Sequence, residues 1–281
     1  HFYFIADYHA LTTGRDPDKL RERVRETAIT YLALGLDPDQ AALFRQSDVP
    51  EVTEITWLLS TVTGMGLLER AHSFKDNITH GVKPSVGLFT YPILMAADIL
   101  AYKSTHVPVG EDQRQHIELT RDIAMRFNNR YGETFVVPEA VIPPAGARIM
   151  DLQHPGNKMS KSDDGDQGTI LLLDDPSVIQ KKFKRAVTGS DGEVRYDPAI
   201  KPGVSNLLSI LGAAIDRGPE AAADGIERYD DLKEATAEAV IELLRPLQAR
   251  YHELAADPAE TGRLLALGAE KARTVASATL D

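Results

Sequence analysis

Two lysines lie three residues apart in a segment that holds almost nothing able to pack, GNKMSKSDDGD at residues 156–166. Serine, glycine and aspartate favour a loop there, so we predict a mobile loop over residues 156–168. Lysine ammonium groups suit phosphate oxygens and stabilise the negative charge that develops on a departing phosphate. Lys158 and Lys161 are therefore candidate catalytic residues for pyrophosphate chemistry, although the same spacing is also typical of a solvated surface turn.

A carboxylate shares one helix face with an aromatic ring and a thioether in the segment YPILMAADILAY. At 100° per residue, Tyr91, Met95 and Asp98 fall within about 40° of one another. A buried carboxylate is costly unless it accepts hydrogen bonds, so one interpretation is that a neighbouring N–H or an arginine simply satisfies Asp98. The functional alternative is a pocket for a flat apolar ligand with a single donor, such as an indole N–H.

Two predicted strand ends carry further polar groups. Gly110 and Asp112 follow the strand HVPV, where a glycine lets the backbone approach a ligand and a carboxylate can accept from ribose hydroxyls. The alternative there is a helix cap. His9 follows the first strand, a position that favours function, although a lone histidine is more often structural. No side chains show metal-ligand spacing, so we predict no metal site built from protein ligands.

The elements that must position these groups alternate along the first part of the chain. A continuous run of apolar and aromatic residues at 1–5 predicts a buried strand, and the segment AALFRQSD at 41–48 predicts a second strand. Helical periodicity over 16–35 and 49–66 predicts the helices that follow them. Further helices and extended segments alternate after these. The pattern is typical of an α/β fold with a doubly wound parallel sheet. After about residue 170 only helical periodicity remains, which indicates an all-helical domain.

Composition excludes several classes of protein. The 281 residues carry a net charge of −11 and no cysteine, so they form no disulfide, thiolate metal site or cysteine nucleophile. No apolar run approaches the ~18 residues of a membrane span, and we predict no membrane partner. The acidic balance argues against an extended basic nucleic-acid face. The cluster KKFKR, Lys181 to Arg185, predicts an exposed charged helix face, with contact to a nucleic-acid backbone as the alternative.

The pentapeptide KMSKS, Lys158 to Ser162, resembles the second signature of class I aminoacyl-tRNA synthetases. The stretches TYPILMAADILAY, VPVGEDQRQHIELTRDIAMRFN, GARIMDL, NKMSKSD and KPGVSNLLSIL, in this order, are similar to the bacterial tryptophanyl-tRNA synthetase family. This resemblance covers most of the chain from ADYHALT onward. It implies a Rossmann-type catalytic domain over residues 1–155, the KMSKS loop over 156–168, and a helical, anticodon-binding domain over 169–281. The last helix of that domain is a candidate to pack back on the catalytic domain.

The resemblance also implies roles for single residues. Asp98 would accept the indole N–H of tryptophan. The other residues implied to bind tryptophan are Tyr91, Met95, Val107, Val109, Gln113 and, near the activated amino acid, His9. The residues implied to bind ATP are Gly110, Glu111, Asp112, Ile149, Lys158, Met159, Ser160, Lys161 and Ser162. Tyrosyl enzymes also use an aspartate at this point, so Asp98 alone does not distinguish tryptophan from tyrosine, and a tyrosine-specific synthetase stays an alternative.

The implied activity is that of a tryptophan–tRNA ligase. L-Tryptophan and ATP, with Mg²⁺, would form tryptophanyl-adenylate and pyrophosphate before transfer of tryptophan to tRNA(Trp). The implied enzyme is a cytoplasmic homodimer. Two further interpretations stay open: a non-catalytic tRNA-binding relative, and an adenylating enzyme of the same superfamily for another small carboxylic acid. The first class I signature, of the His-Ile-Gly-His type, is absent from these residues, and we expect it in a segment that precedes His1.

Overall fold

The computed structural model describes residues 1–12, 14, 16–69, 85–142, 149–160 and 167–281. Within them, the helices and strands are β1 (Phe2–Ile5), α1 (Asp7–Ala10), α2 (Pro17–Ala33), β2 (Ala42–Arg45), α3 (Glu51–Ser60), α4 (Met65–Glu69), α5 (Val86–Leu100), β3 (His106–Pro108), α6 (Arg114–Tyr131), β4 (Glu139–Val141), α7 (Pro176–Lys184), α8 (Pro202–Ala214), α9 (Tyr229–Ala256) and α10 (Pro258–Leu280). Short 3-10 turns cover Gln46–Asp48, Glu111–Gln113 and Ala221–Ala223. The chain divides into a first compact unit, His1–Pro144 with Glu253–Asp281, and a second, Ala145–His252.

The described strands form two parallel pairs, both in the first unit. β1 lies beside β2, with Ile5 opposite Arg45, and β3 lies beside β4, with Val107 opposite Ala140. Parallel neighbours need a crossover connection, and α2 provides the one from β1 to β2. Both strands of the first pair therefore end at the same edge, which brings together the residues that follow them.

The crossover helix α2 shows how local signals set the limits of a helix. The side chain of Asp16 accepts hydrogen bonds from the backbone N–H groups of Asp18 and Lys19, at 3.0 and 3.2 Å, and Pro17 occupies the first turn. Gly35 follows the helix with a φ of +95°, a conformation that would strain any residue with a side chain. The helix predicted from these signals is confirmed.

Two other predicted helix limits are wrong. The helix predicted over residues 49–66 is two helices, α3 and α4, because the β-branched residues 61–63 form tight turns instead of continuing α3. The helix predicted from Tyr91 begins earlier, at Val86, because the Ser85 hydroxyl caps it by accepting the backbone N–H of Leu88 at 3.1 Å. In both cases the apolar periodicity was present, and short polar or β-branched residues decided the ends.

The C-terminal helix α10 lies directly against β2 in the first unit. A Cβ added to Gly268 would meet the carbonyl oxygen of Leu43 at 2.0 Å, so glycine alone allows the two backbones to approach this closely. Arg273 and Ser277 both donate to the carboxylate of Glu51, at 3.0 and 2.9 Å. Because Glu51 is the first residue of α3, these bonds also fix the position of α10 relative to α3.

The second unit has a helical core of its own. Phe183 of α7 and Leu208 of α8 are fully buried and pack with apolar residues of α9. The loop before α8 is fastened by a polar cluster, in which the Lys201 ammonium and the Tyr229 hydroxyl both bond to the Asp191 carboxylate. These two bonds lower the pKa of Asp191 to about 2. The second unit therefore combines apolar packing with an ion-paired loop.

The two units do not coincide with the predicted domains, whose boundaries stay a prediction. The sequence predicts that the catalytic domain ends at residue 155, whereas the units divide between Pro144 and Ala145. The helix α10 belongs to the first unit, because its close approach to β2 and its bonds to α3 are all made there. The sequence of α10 alone shows only an amphipathic helix, which fits either arrangement.

Replacing Gly268 with alanine tests the close approach of α10 to β2. We expect Gly268→Ala to lower the free energy of unfolding by about 1–3 kcal/mol, because the new methyl group overlaps the Leu43 carbonyl. Gly262→Ala, in the same helix, is the matched control because nothing lies within 4 Å of its added Cβ. It should stabilise the protein by up to about 1 kcal/mol through helix propensity. Urea denaturation measures both changes, and equal effects of the two substitutions would contradict the close approach.

Candidate functional site

Asp98 is the buried centre of the candidate site. It lies in α5 and is only 3% exposed. The side-chain amide of Gln46 donates to both of its carboxylate oxygens, at 2.8 and 2.9 Å, and Nε2 of His9 is hydrogen-bonded to Oδ2 at 2.8 Å. Gln46 follows β2, and His9 lies in α1 just after β1. The ends of two parallel strands thus supply the hydrogen bonds to a carboxylate carried by a helix.

Burial and hydrogen bonding act on the ionisation of Asp98 in opposite directions. Removal from water raises the pKa of its carboxyl group, and the bonds from His9 and Gln46 oppose that rise without cancelling it. An ionised carboxylate offers about four lone-pair sites on its two oxygens. Among the described residues, Oδ2 receives two hydrogen bonds and Oδ1 receives one. Oδ1 therefore retains capacity to accept from a ligand donor.

Gln46 is a site residue that the sequence analysis missed. The strand predicted over residues 41–48 ends at Arg45 instead, and Gln46 opens a 3-10 turn in which it is fully buried. Its side-chain oxygen accepts the backbone N–H of Tyr8 at 3.1 Å, so Gln46 links the ends of β1 and β2. The available signal was a polar residue directly after a buried strand, beside the strand that leads to His9.

Tyr91 lies between two histidines on the same side of the first unit. Its ring meets the ring of His9 edge to face, with centroids 6.1 Å apart, and its hydroxyl lies 3.4 Å from Nε2 of His116 in α6. Burial lowers the pKa of the His116 imidazole, so the ring is neutral at neutral pH. Nδ1 of His116 has no hydrogen-bond partner among the described residues. No sequence pattern singled out His116.

The predicted ATP residues that follow β3 form an exposed polar turn. A Cβ added to Gly110 would lie 2.5 Å from Oδ1 of Asp112, so glycine lets this carboxylate fold back over the strand end. Gln113 donates to Oδ2 of Asp112 at 2.9 Å. Glu111 is engaged with Arg114 through two hydrogen bonds, at 2.7 and 2.9 Å. The turn is therefore organised by its own side chains before any ligand is considered.

The residues predicted to line an aromatic ring pocket are all half-buried. Met95 precedes Asp98 by three residues in α5, and Val107 and Val109 lie in or directly after β3. The backbone N–H of Val109 donates to the Val141 carbonyl at 3.0 Å, which extends the pairing of β3 with β4 to the strand end. Their role in a ring pocket stays a prediction.

The second unit holds the described part of the KMSKS segment. The backbone N–H of Met159 donates to the carbonyl of Ile149 at 3.1 Å, and Lys158 lies opposite Met150 in an antiparallel bridge. Lys158 is exposed, and Ser160 is half-buried. Four of the predicted ATP residues, Ile149, Lys158, Met159 and Ser160, are therefore brought together on two short backbone segments that pair with each other. Two predicted site residues lie outside the described residues, Lys161 and Ser162.

Within the described ranges the site consists of hydrogen-bonding groups. No set of three or more His, Asp or Glu side chains in those ranges could hold a metal ion. No helix in them is long and apolar enough to cross a bilayer. One imidazole and one amide contact Asp98, and the Tyr91 phenol and the His116 imidazole follow beside His9; such groups are suited to orienting a polar ligand.

Comparison with known proteins identifies the family. The family model described as "tRNA synthetases class I (W and Y)" matches residues 1–245. The chain belongs to this synthetase family. It is 51% identical to a tryptophan–tRNA ligase of Leifsonia xyli subsp. xyli, across 99% of this chain and 84% of that relative. It is 49% identical to a tryptophan–tRNA ligase of Mycobacterium leprae, across 100% of this chain and 83% of that relative.

Solved synthetase structures share the fold. Tryptophanyl-tRNA synthetase from Campylobacter jejuni, complexed with ADP and tryptophan, has a TM-score of 0.87 and 39% identity, covering 98% of this chain and 86% of that one. The enzyme from Mycoplasma pneumoniae has a TM-score of 0.83 and 35% identity, covering 99% and 85%. The predicted class, an α/β Rossmann-type catalytic domain followed by a helical domain, is confirmed, as is the resemblance to bacterial tryptophanyl-tRNA synthetases.

Removing the side-chain amide of Gln46 tests whether its hydrogen bonds to the buried Asp98 carboxylate stabilise the protein. We expect Gln46→Leu to lower the free energy of unfolding by about 1–3 kcal/mol, because buried Asp98 loses two hydrogen bonds and its pKa rises further. Gln40→Leu is the matched control, since Gln40 donates to Asp37 in an exposed pair and its loss should cost under about 0.5 kcal/mol.

The double variant Gln46→Leu with Asp98→Leu completes this test. It should recover part of the loss, because neither partner is then left buried and unpaired. Urea denaturation at pH 7 measures all four proteins. A Gln46→Leu variant as stable as Gln40→Leu would show that the bonds to Asp98 contribute little.

Proposed function

We propose that this chain activates L-tryptophan with ATP and transfers it to tRNA(Trp), as a tryptophan–tRNA ligase. The observation that carries the proposal is the buried acceptor Asp98, held by Gln46 and His9 with capacity left on Oδ1, in a chain 51% identical to a tryptophan–tRNA ligase. The indole N–H of tryptophan donates and never accepts, so it suits a carboxylate oxygen. A site that pairs a polar substrate group rejects analogues that lack it by about 10⁴ or more.

The remaining tryptophan contacts surround that hydrogen bond. Tyr91 and Gln113 contact the amino group, and His9, already bonded to Asp98, lies near the activated amino acid. The side chains proposed to pack on the indole ring are Met95, Val107 and Val109. Because the Tyr91 hydroxyl lies beside neutral His116, it can accept one hydrogen bond while it donates another, which fits contact with an ammonium group.

The first step is an in-line displacement at the α-phosphate of ATP. A carboxylate oxygen of tryptophan forms a bond to phosphorus as the bond to the bridging oxygen breaks, and pyrophosphate leaves. Lys158 and Lys161 stabilise the charge that develops on the phosphates, and no covalent enzyme intermediate is needed. ATP enters as its Mg²⁺ complex, so the ion arrives on the phosphates. The other residues proposed to hold ATP are Gly110, Glu111, Asp112, Ile149, Met159, Ser160 and Ser162.

The second step transfers tryptophan to tRNA. A hydroxyl of the terminal ribose attacks the carbonyl carbon of the adenylate, and AMP leaves. Binding a tRNA backbone requires local positive charge in this acidic chain. We assign the anticodon-binding surface to the predicted helical domain, residues 169–281, and we place the enzyme in the cytoplasm, where it supports protein synthesis.

Amino-acid-dependent ATP–pyrophosphate exchange tests the proposed activity directly. We expect exchange with tryptophan and none with tyrosine or phenylalanine. Lys161→Ala should lower kcat for exchange by about 10²-fold or more while equilibrium tryptophan binding stays unchanged, because its charge acts on the transition state. Exchange driven by tyrosine would reassign the Asp98 pocket to a phenol. No exchange with any of the three amino acids would leave a tRNA-binding relative as the better interpretation.

We also propose that the enzyme is a homodimer that uses the exposed face of α3. Trp57, the one tryptophan of the chain, is 72% exposed in α3, and neighbouring Leu58 is 38% exposed. Tryptophan is enriched at protein interfaces and among the residues that carry most of their binding energy. The proposal assigns Trp57 to the centre of that surface.

Sedimentation velocity over a range of concentrations tests the dimer. We expect the wild type to sediment as a dimer and Trp57→Glu to weaken association at least about 30-fold, the effect of losing an interface hot spot. Leu243→Glu, at a 55% exposed leucine of α9, is the matched control and should leave association unchanged. A wild type that is monomeric at all concentrations, or equal weakening by both substitutions, would contradict the assignment.

A further inference from the structure

Lys182 is a buried cation in the second unit. The cluster KKFKR predicts an exposed charged face, and that prediction is wrong for Lys182, which is 2% exposed. Its ammonium donates to the carboxylate of Asp174 at 2.8 Å and to the backbone carbonyl of Thr169 at 2.9 Å. Burying a charge is costly unless it is paired, and the ion pair with Asp174 meets that need. The bond to the Thr169 carbonyl satisfies a second N–H of the ammonium and also ties Lys182 to the backbone at Thr169.

Thr169 directly follows the KMSKS loop and is bonded to a residue within it. Its hydroxyl donates to the backbone carbonyl of Ser160 at 2.9 Å. The carbonyl of the preceding residue, Gly168, accepts the backbone N–H of Leu152 at 2.9 Å. We call Leu152, Ser160, Gly168 and Thr169 the loop base. Lys158 lies two residues before Ser160, in the short stretch that pairs with residues 149–151.

The loop base leaves no room for a side chain at Gly168. A Cβ there would lie 1.9 to 2.3 Å from the carboxylate atoms of Asp151. The Asp151 carboxylate is itself fixed, because it accepts the backbone N–H groups of Gln153 and His154, each at 2.8 Å. The backbone at Gly168 is therefore packed closely against a fixed carboxylate, and the adjacent Thr169 is bonded to Ser160.

Asp174, the ion-pair partner of Lys182, lies in a turn that is itself held by hydrogen bonds. The Asp174 carboxylate also accepts the backbone N–H of Leu171 at 2.9 Å. The side-chain amide of Gln248, in α9, donates to the carbonyls of Leu172 and Asp174 at 2.9 and 3.0 Å. Lys182 of α7 thus connects the turn at residues 171–174, which Gln248 of α9 also holds, to the loop base.

We propose that Lys182 is a positioning residue for amino-acid activation, holding the loop base through the Thr169 carbonyl and thereby placing Lys158 against its substrate. This inference rests on the function proposed above. Lys182 acts through the backbone and touches no reacting atom. Because a misplacement of about 1 Å can cost about 10²-fold in rate, a tether at the base of a catalytic segment affects kcat more than substrate binding.

Three variants separate positioning from charge compensation. We expect Lys182→Met to lower kcat for ATP–pyrophosphate exchange by about 10- to 100-fold, with the dissociation constant for tryptophan unchanged. Lys182→Met with Asp174→Asn leaves no unpaired charge yet still lacks the tether, so its kcat should stay low. Lys181→Met removes an exposed charge from the same helix and should match the wild type. Recovery of wild-type kcat in the double variant would overturn the proposal.

Hydrogen exchange at the Leu152 amide gives a readout that needs no activity. This amide is bonded to the Gly168 carbonyl, so its protection reports whether the loop base is intact. We expect faster exchange in both variants that lack Lys182 and no change in Lys181→Met. Protection equal to wild type in the double variant would overturn the tether. A wild type with no ATP–pyrophosphate exchange activity would instead refute the proposed function. Hydrogen exchange at the Leu152 amide would still show whether Lys182 holds the loop base.

Discussion

The carboxylate of Asp98 is the constraint on which the site depends. An ionised carboxylate loses several kcal/mol of hydration free energy when it is buried, and only well-placed donors recover that loss. Here the donors are Gln46 and His9, which follow two different strands, while Asp98 itself lies in a helix. The three groups meet only when β1 and β2 pair in parallel with the observed register. A shift of β2 by one residue would turn Gln46 to the opposite face and leave the carboxylate without its amide.

The C-terminal helix α10 also supports the register of β2. α10 approaches β2 so closely that Gly268 touches the backbone of Leu43, one residue before fully buried Phe44. Arg273 and Ser277 of the same helix fix Glu51, which begins the helix after Gln46. The segment that contains Gln46 is therefore held between a parallel strand and a C-terminal helix. Preorganisation of the acceptor is a property of the whole first unit.

The sequence predicted the parts of this arrangement that depend on local chemistry. Periodicity, caps and glycines determine α2, and the face shared by Tyr91 and Asp98 follows from helical geometry. Gln46 and Lys182 were not predicted, because their burial depends on partners that local patterns do not reveal: Gln46 lies 52 residues from its acceptor. A polar residue next to a buried strand is equally compatible with a surface turn until the opposing helix is known.

Buried charges in this chain differ in how much of their bonding capacity the protein uses. Lys182 directs its ammonium at a carboxylate and a backbone carbonyl of the second unit, so its charge serves the fold. Asp98 also has protein partners, yet the described residues leave acceptor capacity on Oδ1. A buried acceptor with spare capacity is tolerable in the free protein only when the rest of the carboxylate is well bonded, as Gln46 and His9 ensure. The carboxylate by itself cannot discriminate indole from phenol, since both ligands offer a hydrogen. Under the function proposed above, selection of tryptophan over tyrosine must therefore come from the shape of the pocket, while the hydrogen bond to Asp98 disfavours rings that have no donor.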